Sequence, residues 1–271
     1  VTEVRRNPIT GEPVIFAPDR ATRFSNGNSD CPFCPGYEDE TPPEIARFGD
    51  PWHVRVFANK YPFAPRHEVI VESPRHDDTF ATIEHPEEVV AAYVDRYRAI
   101  AADPAIRHVT IFRNHGELGG ASREHAHSQI AGTTFVPPRV ARELEAFAGG
   151  CALCEPPAHV IDESAHFVRL APHGSSFAYE QWIAPRRHAP DFASMNADES
   201  NDLALRLRDA ARSMERIAKS YNWLFMNFAD AAGHWYVQAM PRMTSVAGFE
   251  LATGTFIDVV DPAVASRKLR V

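Results

Sequence analysis

Ser122-Arg123-Glu124-His125-Ala126-His127-Ser128-Gln129 is the stretch that decides how this chain folds and what it can do. Side chains on a strand alternate with a period of two, so His125, His127 and Gln129 are expected on one face. The chain has four cysteines, in two Cys-x-x-Cys pairs, Cys31/Cys34 and Cys151/Cys154, each followed at long range by histidines. One histidine of the stretch can therefore anchor a metal while its neighbour two residues on does chemistry.

Working outward, Cys31-Pro32-Phe33-Cys34-Pro35-Gly36 reads as a knuckle, because Pro and Gly turn the backbone so that both thiolates can face one ion. His76 and His125 complete a four-coordinate set of the type structural zinc prefers. Cys151, Cys154, His188 and His234 make the second set by the same logic. A redox pair, or two buried thiols, is the alternative for each. The repetition with histidines, and the lack of a helix-starting context after the cysteines, favour metal. Two Zn2+ ions with architectural roles are expected, since a closed site of this kind contributes on the order of 10 kcal/mol to folding.

With 271 residues, 44% hydrophobic and 24% charged, the chain can bury one large core or two modest ones. A formal net charge of -8 argues against a broad nucleic-acid surface, while a local arginine cluster can still hold a small phosphorylated ligand. No apolar run approaches the roughly 18 residues of a membrane span, and Glu3, Arg5 and Arg6 leave no apolar signal core, so no membrane partner and a cytoplasmic location are expected.

Strand-like runs are read at Val14 to Ala17, His53 to Phe57, Glu68 to Glu72, Val109 to Phe112 and His125 to Phe135, with a polar loop from Phe24 to Asp30 and a helix from Pro86 to about Ala102. A short helix from Val140 to Ala148 leads to Gly149-Gly150. The order then repeats: knuckle, strands at His166 to Leu170 and Phe177 to Ile183, a long helix capped by Asn196 and Glu199, and strands at Trp223 to Phe228 and His234 to Met240. The halves divide at residues 1–149 and 150–271. Trp52, Trp182, Trp223 and Trp235 are expected in the core or an interface. Glu143 and Glu145 are read as helix-surface charges.

His127 is the candidate nucleophile. A neutral imidazole attacks phosphorus at pH 7 without first losing a proton. Gly119-Gly120-Ala121-Ser122 lets backbone amides approach a phosphate, and Ser122 and Gln129 can donate to its oxygens. At the matching place in the second half Tyr236 stands where the nucleophile would be, so one working site per pair of repeats is expected.

The chain resembles the galactose-1-phosphate uridylyltransferase family, including its ADP-glucose phosphorylase-like branch, in the histidine triad superfamily. The resemblance rests on Arg6 to Glu12, Ala17 to Arg20 with Arg23, Cys31 to Cys34, Val56 to Pro62, Ser73 to Phe80, Asn114, Gly120 to Gln129, Phe177 to Glu180 and Ala247 to Glu250. It implies an α+β fold of two histidine-triad-like halves, each with an antiparallel sheet, packed helices and a zinc knuckle, the second half degenerate at its active site. It also implies double displacement: His127 attacks the α-phosphorus of a nucleotide sugar, expels a sugar 1-phosphate, and passes the nucleotidyl group to a second phosphate-bearing acceptor. By the same resemblance Asn59 and Arg20 or Arg23 lie toward the nucleoside, Asn114, Ser122 and Gln129 at the phosphates, and Phe249 with Glu250 near the sugar. A homodimer with shared sites is implied too.

The histidine triad hydrolases carry a third histidine where this chain has Gln129, and an amide cannot shuttle protons, so transfer is favoured over hydrolysis. The expected activity is hexose-1-phosphate uridylyltransferase-like. A nucleotide-sugar phosphorylase or hydrolase is the first alternative, and a non-enzymatic, zinc-stabilised nucleotide-binding module the second.

Overall fold

The computed structural model describes residues 2–22 and 31–271; the loop expected from Phe24 to Asp30 lies outside them. Among the described residues, β1 (Glu3–Arg6) and β2 (Pro13–Phe16) form an antiparallel hairpin, and ten further strands form one antiparallel sheet. These are β3 (Glu44–Phe48), β4 (Val54–Ala58), β5 (Arg66–Val71), β6 (His108–His115), β7 (His127–Thr133), β8 (Val160–Glu163), β9 (Phe167–Leu170), β10 (Gln181–Pro185), β11 (Tyr221–Met226) and β12 (Tyr236–Pro241). The helices are α1 (Pro86–Ala101), α2 (Pro138–Ala148), α3 (Ala197–Glu215), α4 (Gly248–Thr253) and α5 (Pro262–Lys268).

Across the sheet the order is β3-β4-β5-β7-β6-β11-β12-β10-β9-β8. From either edge inward the chain runs three strands in sequence, then its fifth before its fourth. β6 and β11 join the two runs, with Arg113 opposite Trp223 and Phe112 opposite Leu224. The expected α+β architecture is thus present as a single sheet. Both outer strands are irregular, with register shifts at Glu44/Ala46 in β3 and at Val160/Asp162 in β8.

Strand alternation assigns the two faces. Val54, Val56, Ile70, Ile111 and Ile130 turn toward α1 and α3, where Trp223, Phe225 and Val237 extend the same core into the second half. α3 starts at a capping box, with the Asn196 side chain accepting from Glu199 N and the Glu199 carboxylate accepting from Asn196 N. Its stripe of Leu203, Leu207, Ala210 and Met214 is buried. On the opposite face Phe57, Val69 and Val71 gather around Phe33 and Trp52. In the second half that face is covered by α2, whose Val140 packs with Met226, Phe228 and Tyr236.

Three strands begin at least two residues later than their sequence suggests, one of them β12, which starts at Tyr236 with His234 ahead of it. His125 precedes β7 instead of lying on it. Phe177 to Glu180 precede β10 as a turn, closed by the Glu180 carboxylate accepting from Ser176 N and Phe177 N at 2.8 and 3.2 Å. Glu143 is no simple surface charge, since it accepts from Tyr236 Oη at 2.9 Å. Trp52, Trp223 and Trp235 are buried as expected, and Trp182 half-buried. No helix among the described residues is long and apolar enough to cross a membrane.

Burial pushes the imidazole of His108 down to about 4, and burial with the Arg113 guanidinium does the same to His115. Both rings are neutral in the fold and revert to about 6.5 on unfolding, so the unfolded chain binds more protons between those values. Stability is therefore expected to be fully present above about pH 6.5 and to fall as pH drops toward 4. Urea midpoints measured across that range check this, with His108→Gln flattening the slope.

Candidate active site and metal centres

His127 opens β7 opposite Val71 of β5, and its ring packs edge-on to Phe33 at 5.4 Å. Its Nδ1 lies 2.8 Å from the carbonyl oxygen of His125. A nitrogen facing a carbonyl can only donate, so in the neutral ring Nε2 keeps the lone pair. The backbone before the strand thus sets the tautomer that a nucleophile needs. His127 lines a cavity of about 410 Å³ together with Asn59, Ser122 and Gln129, and with Lys60 and Arg123, which add positive charge.

Gln129 follows on the same face of β7, opposite Val69. Its Oε1 accepts from His67 Nε2 at 3.0 Å and from Asn59 Nδ2 at 3.3 Å. The tautomer of His67 follows from its other side, where Nδ1 accepts from Phe63 N at 3.3 Å. With Oε1 engaged twice, the amide nitrogen is the end of Gln129 that donates, which suits a phosphoryl oxygen. His67 was missed from sequence. Period-two alternation sets His67, Val69 and Val71 on one side of β5, but only the pairing of β5 with β7 shows that this side meets Gln129. Lys60 and Arg123 were missed because they lie in loops whose course no pattern predicts.

Cys31, Cys34, His76 and His125 come together as expected, and so do Cys151, Cys154, His188 and His234, each with donor atoms within 4.8 Å of one another. In a tetrahedral zinc site with bonds of about 2.3 Å to sulfur and 2.05 Å to nitrogen, sulfur and nitrogen sit about 3.6 Å apart. The first set shows Sγ to Nδ1 separations of 3.6, 3.5 and 3.6 Å, and the second 3.2, 3.3 and 3.5 Å. Three of the four histidines also direct Nε2 at a backbone carbonyl: His125 at Ser73, His188 at Ala231 and His234 at Pro185, at 2.7, 3.0 and 3.0 Å. Such outer contacts fix a ring that binds metal through Nδ1. Burial, with the neighbouring thiol of each pair, pushes Cys34 and Cys154 up to about 11, so an ion must displace their protons. Both sets are compatible with zinc.

The other expected site residues lie elsewhere in the single chain. Arg20 donates to Tyr61 O at 2.7 Å and its guanidinium lies 5.2 Å from the Phe63 ring centroid, beside the loop after Asn59. Asn114, on β6, accepts from Asn222 Nδ2 at 2.9 Å. Phe249 is 55% exposed on α4, and Glu250 accepts from Ala247 N at that helix's start. Arg23 lies outside the described residues.

The second half repeats the frame, with α2 laid over it. Tyr236 stands two residues after His234, where His127 follows His125, and donates to Glu143 of α2. Gln238, the counterpart of Gln129, accepts from Arg139 Nη2 at 2.7 Å and donates to Glu180 at 2.6 Å. Side chains of α2 therefore occupy the face that in the first half borders the cavity.

Behind His127, on the helix side of the sheet, the Glu72 carboxylate is fully buried. It accepts from Tyr93 Oη at 2.7 Å, from Arg113 Nε at 3.0 Å and from the Ser128 hydroxyl. Its own backbone N–H donates to Ala126 O at 3.0 Å.

Residues 59–137 match the family model described as galactose-1-phosphate uridyl transferase, N-terminal domain. The chain is 32% identical to the ADP-glucose phosphorylase of Arabidopsis thaliana, over 99% of this chain and 92% of that protein. It is 25% identical to the galactose-1-phosphate uridylyltransferase of Thermotoga maritima, over 99% of this chain and 98% of that protein. A crystal structure of an ADP-glucose phosphorylase from Arabidopsis thaliana with bound ADP-glucose has a TM-score of 0.84 at 31% identity, covering 100% of this chain and 99% of that one. A solved uridylyltransferase at 22% identity shares the fold, with a TM-score of 0.85 over 99% of this chain and 97% of that one.

Removing one partner of a buried ion pair leaves the other charge uncompensated, so Glu72→Gln is expected to cost about 3–5 kcal/mol. Guanidinium unfolding of the variant beside the parent chain measures it.

Proposed function

The chain belongs to the galactose-1-phosphate uridylyltransferase family, within the histidine triad superfamily, and from that premise we propose that it transfers the nucleoside monophosphate of a nucleotide sugar through a covalent bond to His127. The observation that carries this reading is the lone pair of His127 Nε2, set by the Nδ1 hydrogen bond to His125, in a cavity that also holds the oriented amide of Gln129.

In the first step Nε2 attacks the α-phosphorus, the P–N bond forms, and the bond to the bridging oxygen breaks, so that a sugar 1-phosphate leaves with that electron pair. The ring gains positive charge, which the His125 carbonyl relieves by accepting the Nδ1–H more strongly. Gln129 Nε2 and the Ser122 hydroxyl donate to the non-bridging oxygens as negative charge develops there, and Lys60 and Arg123 offset the charge of the diphosphate. In the second step an acceptor phosphate oxygen attacks phosphorus, and the P–N bond breaks to return the neutral imidazole.

Inorganic phosphate is the acceptor we favour, giving a nucleoside diphosphate and a sugar 1-phosphate as products. The 32% identity to the phosphorylase, against 25% to the uridylyltransferase, supports this choice. A hexose 1-phosphate acceptor is the second reading, supported by the family match across residues 59–137. Asn59 and Arg20 are assigned to the nucleoside side and Asn114 to the phosphates. Phe249 and Glu250 are assigned to the sugar of a partner chain's cavity in a homodimer, a reading supported by the exposed apolar side chains Phe249 and Leu251 on α4. The division of the chain into a working half, 1–149, and a degenerate half, 150–271, belongs to the same proposal.

Zinc is the ion proposed for both cysteine-histidine sets, in a structural role. Cys31, Cys34, His76 and His125 would hold one ion, which braces the residue that sets the tautomer of His127. Cys151, Cys154, His188 and His234 would hold the other.

Incubation with nucleotide sugars labelled at the α-phosphate should leave an acid-labile label on the parent chain and none on His127→Asn, whose turnover should fall on the order of 10³-fold or more. Ligand-induced stabilisation without any label would instead identify a non-enzymatic binding module. Discharge of the labelled chain by phosphate, by hexose 1-phosphate and by water, compared side by side, separates the acceptors. Gln129→Ala should lose about 10²-fold in turnover with a smaller change in KM, because it removes a donor that acts mainly on the developing charge. Elemental analysis should find one ion fewer in Cys34→Ser and in Cys154→Ser than in the parent, with acid releasing both ions as the donors take up protons.

A further inference from the structure

Away from the cavity and both knuckles, His53, His85 and Glu88 bring one donor atom each within 4.8 Å of the others. His53 lies just ahead of β4, at the end of the turn from β3. His85 immediately precedes α1, and Glu88 sits in that helix's first turn. His53 Nδ1 is 2.9 Å from Glu88 Oε2. The two imidazoles stack with ring centroids 3.9 Å apart and an angle of 14° between their planes. Glu87 lies outside that trio and adds negative charge beside it, its Oε1 3.3 Å from His85 Nδ1.

The backbone on both sides is shaped for this meeting. Gly49 adopts φ +83°, and a Cβ there would come within 2.6 Å of His53 Nδ1, so the His53 ring rests against bare backbone. His53 N donates to Phe48 O at 2.8 Å and Glu88 N to His85 O at 3.2 Å, which pins each side independently. His53, His85 and Glu88 are all partly exposed, so an ion can reach them from water. Two neutral imidazoles and two carboxylates sum to a charge of about -2, enough to outweigh the partial positive end of the helix dipole.

We propose that His53, His85 and Glu88, with Glu87 alongside, form a third metal site that takes a borderline divalent transition-metal ion such as zinc or nickel. Mixed imidazole and carboxylate donors select this class over calcium and magnesium, which take oxygen ligands. His53 Nδ1 and Glu88 Oε2 lie 2.9 Å apart as a hydrogen-bonded pair, and spread to about 3.3 Å when an ion enters a tetrahedral site between them. The His85 ring, stacked on His53 at 14°, must turn out of that stack on binding, because a metal–imidazole bond lies in the plane of the ring. On binding, the ion takes the place of the Nδ1 proton that neutral His53 directs at Glu88, and the ring carries its one proton on Nε2 instead, so no net proton is released. The bound ion clamps the β3–β4 turn to α1. Trp52, one residue before His53, donates to Glu38 and packs with Phe33, a residue of the cavity wall, so the clamp stiffens the support of that wall.

The test is metal content after equilibrium dialysis of the full chain against micromolar zinc or nickel. The parent should bind one ion beyond the two cysteine-histidine sets, whereas His85→Ala and Glu88→Gln should bind only those two. Retention of the two knuckle ions shows that the variants are folded. Cobalt(II) supplies an independent readout: the extra ion should add weak d–d absorption without thiolate charge-transfer bands, in the parent alone. Saturation of the parent at the knuckle ions overturns the proposal, and so does an extra ion that survives both substitutions. Neither result bears on labelling of His127, so this site and the proposed transfer reaction stand or fall separately.

Discussion

One buried carboxylate holds the first half of the sheet together. Glu72 draws Tyr93 from α1, Arg113 from β6 and Ser128 from β7 onto a single group at the end of β5. Taking that charge out of water is costly, and the guanidinium and two hydroxyl donors offset the loss. The arrangement is therefore demanding: each of those elements must reach its position before the carboxylate is satisfied. Ser128 is the neighbour of His127, so the same group that locks the helix side of the sheet also fixes the strand whose other side faces the cavity.

The cavity side of the sheet is built from backbone placement more than from unusual side chains. His125 faces the cysteines with Nδ1 and Ser73 with Nε2, while its carbonyl holds Nδ1 of His127. The donor set of the first knuckle and the imidazole two residues on are thus linked through a single residue, His125. Gln129 is oriented by His67 and Asn59 in the same indirect way. The two halves share this plan but differ in what lies over the sheet. Arg139 and Glu143 of α2 satisfy Gln238 and Tyr236 in the second half.

Much of this was legible in the chain itself, because the strongest local signals are also the ones packing preserves. The stripe of Leu203, Leu207, Ala210 and Met214 has one stable solution, a helix against a sheet, and Asn196 with Glu199 marks where that helix starts. Cys-x-x-Cys with distant histidines is legible for another reason: few folds bring such donors together without a metal between them. The short strands β1, β3 and β8 were missed, being four or five residues each with weak alternation. His67 and Glu72 were missed since their roles depend on cross-strand partners, and nothing within a single strand announces its neighbour. Glu143 was misread as solvated because a helix surface charge and a charge that meets a tyrosine across an interface look the same in one dimension.

The irregular outer strands have a consequence for how copies of this protein meet. An open sheet ends in two rows of unpaired amides and carbonyls, an invitation to add foreign strands without limit. In this chain β3 and β8 are each kinked by a shift in pairing, and Arg47 with Glu44 and Arg186 with Glu163 set charges along those margins. Growth by lateral zipping is blocked at both borders, which leaves loops and sheet faces as the surfaces through which chains can assemble.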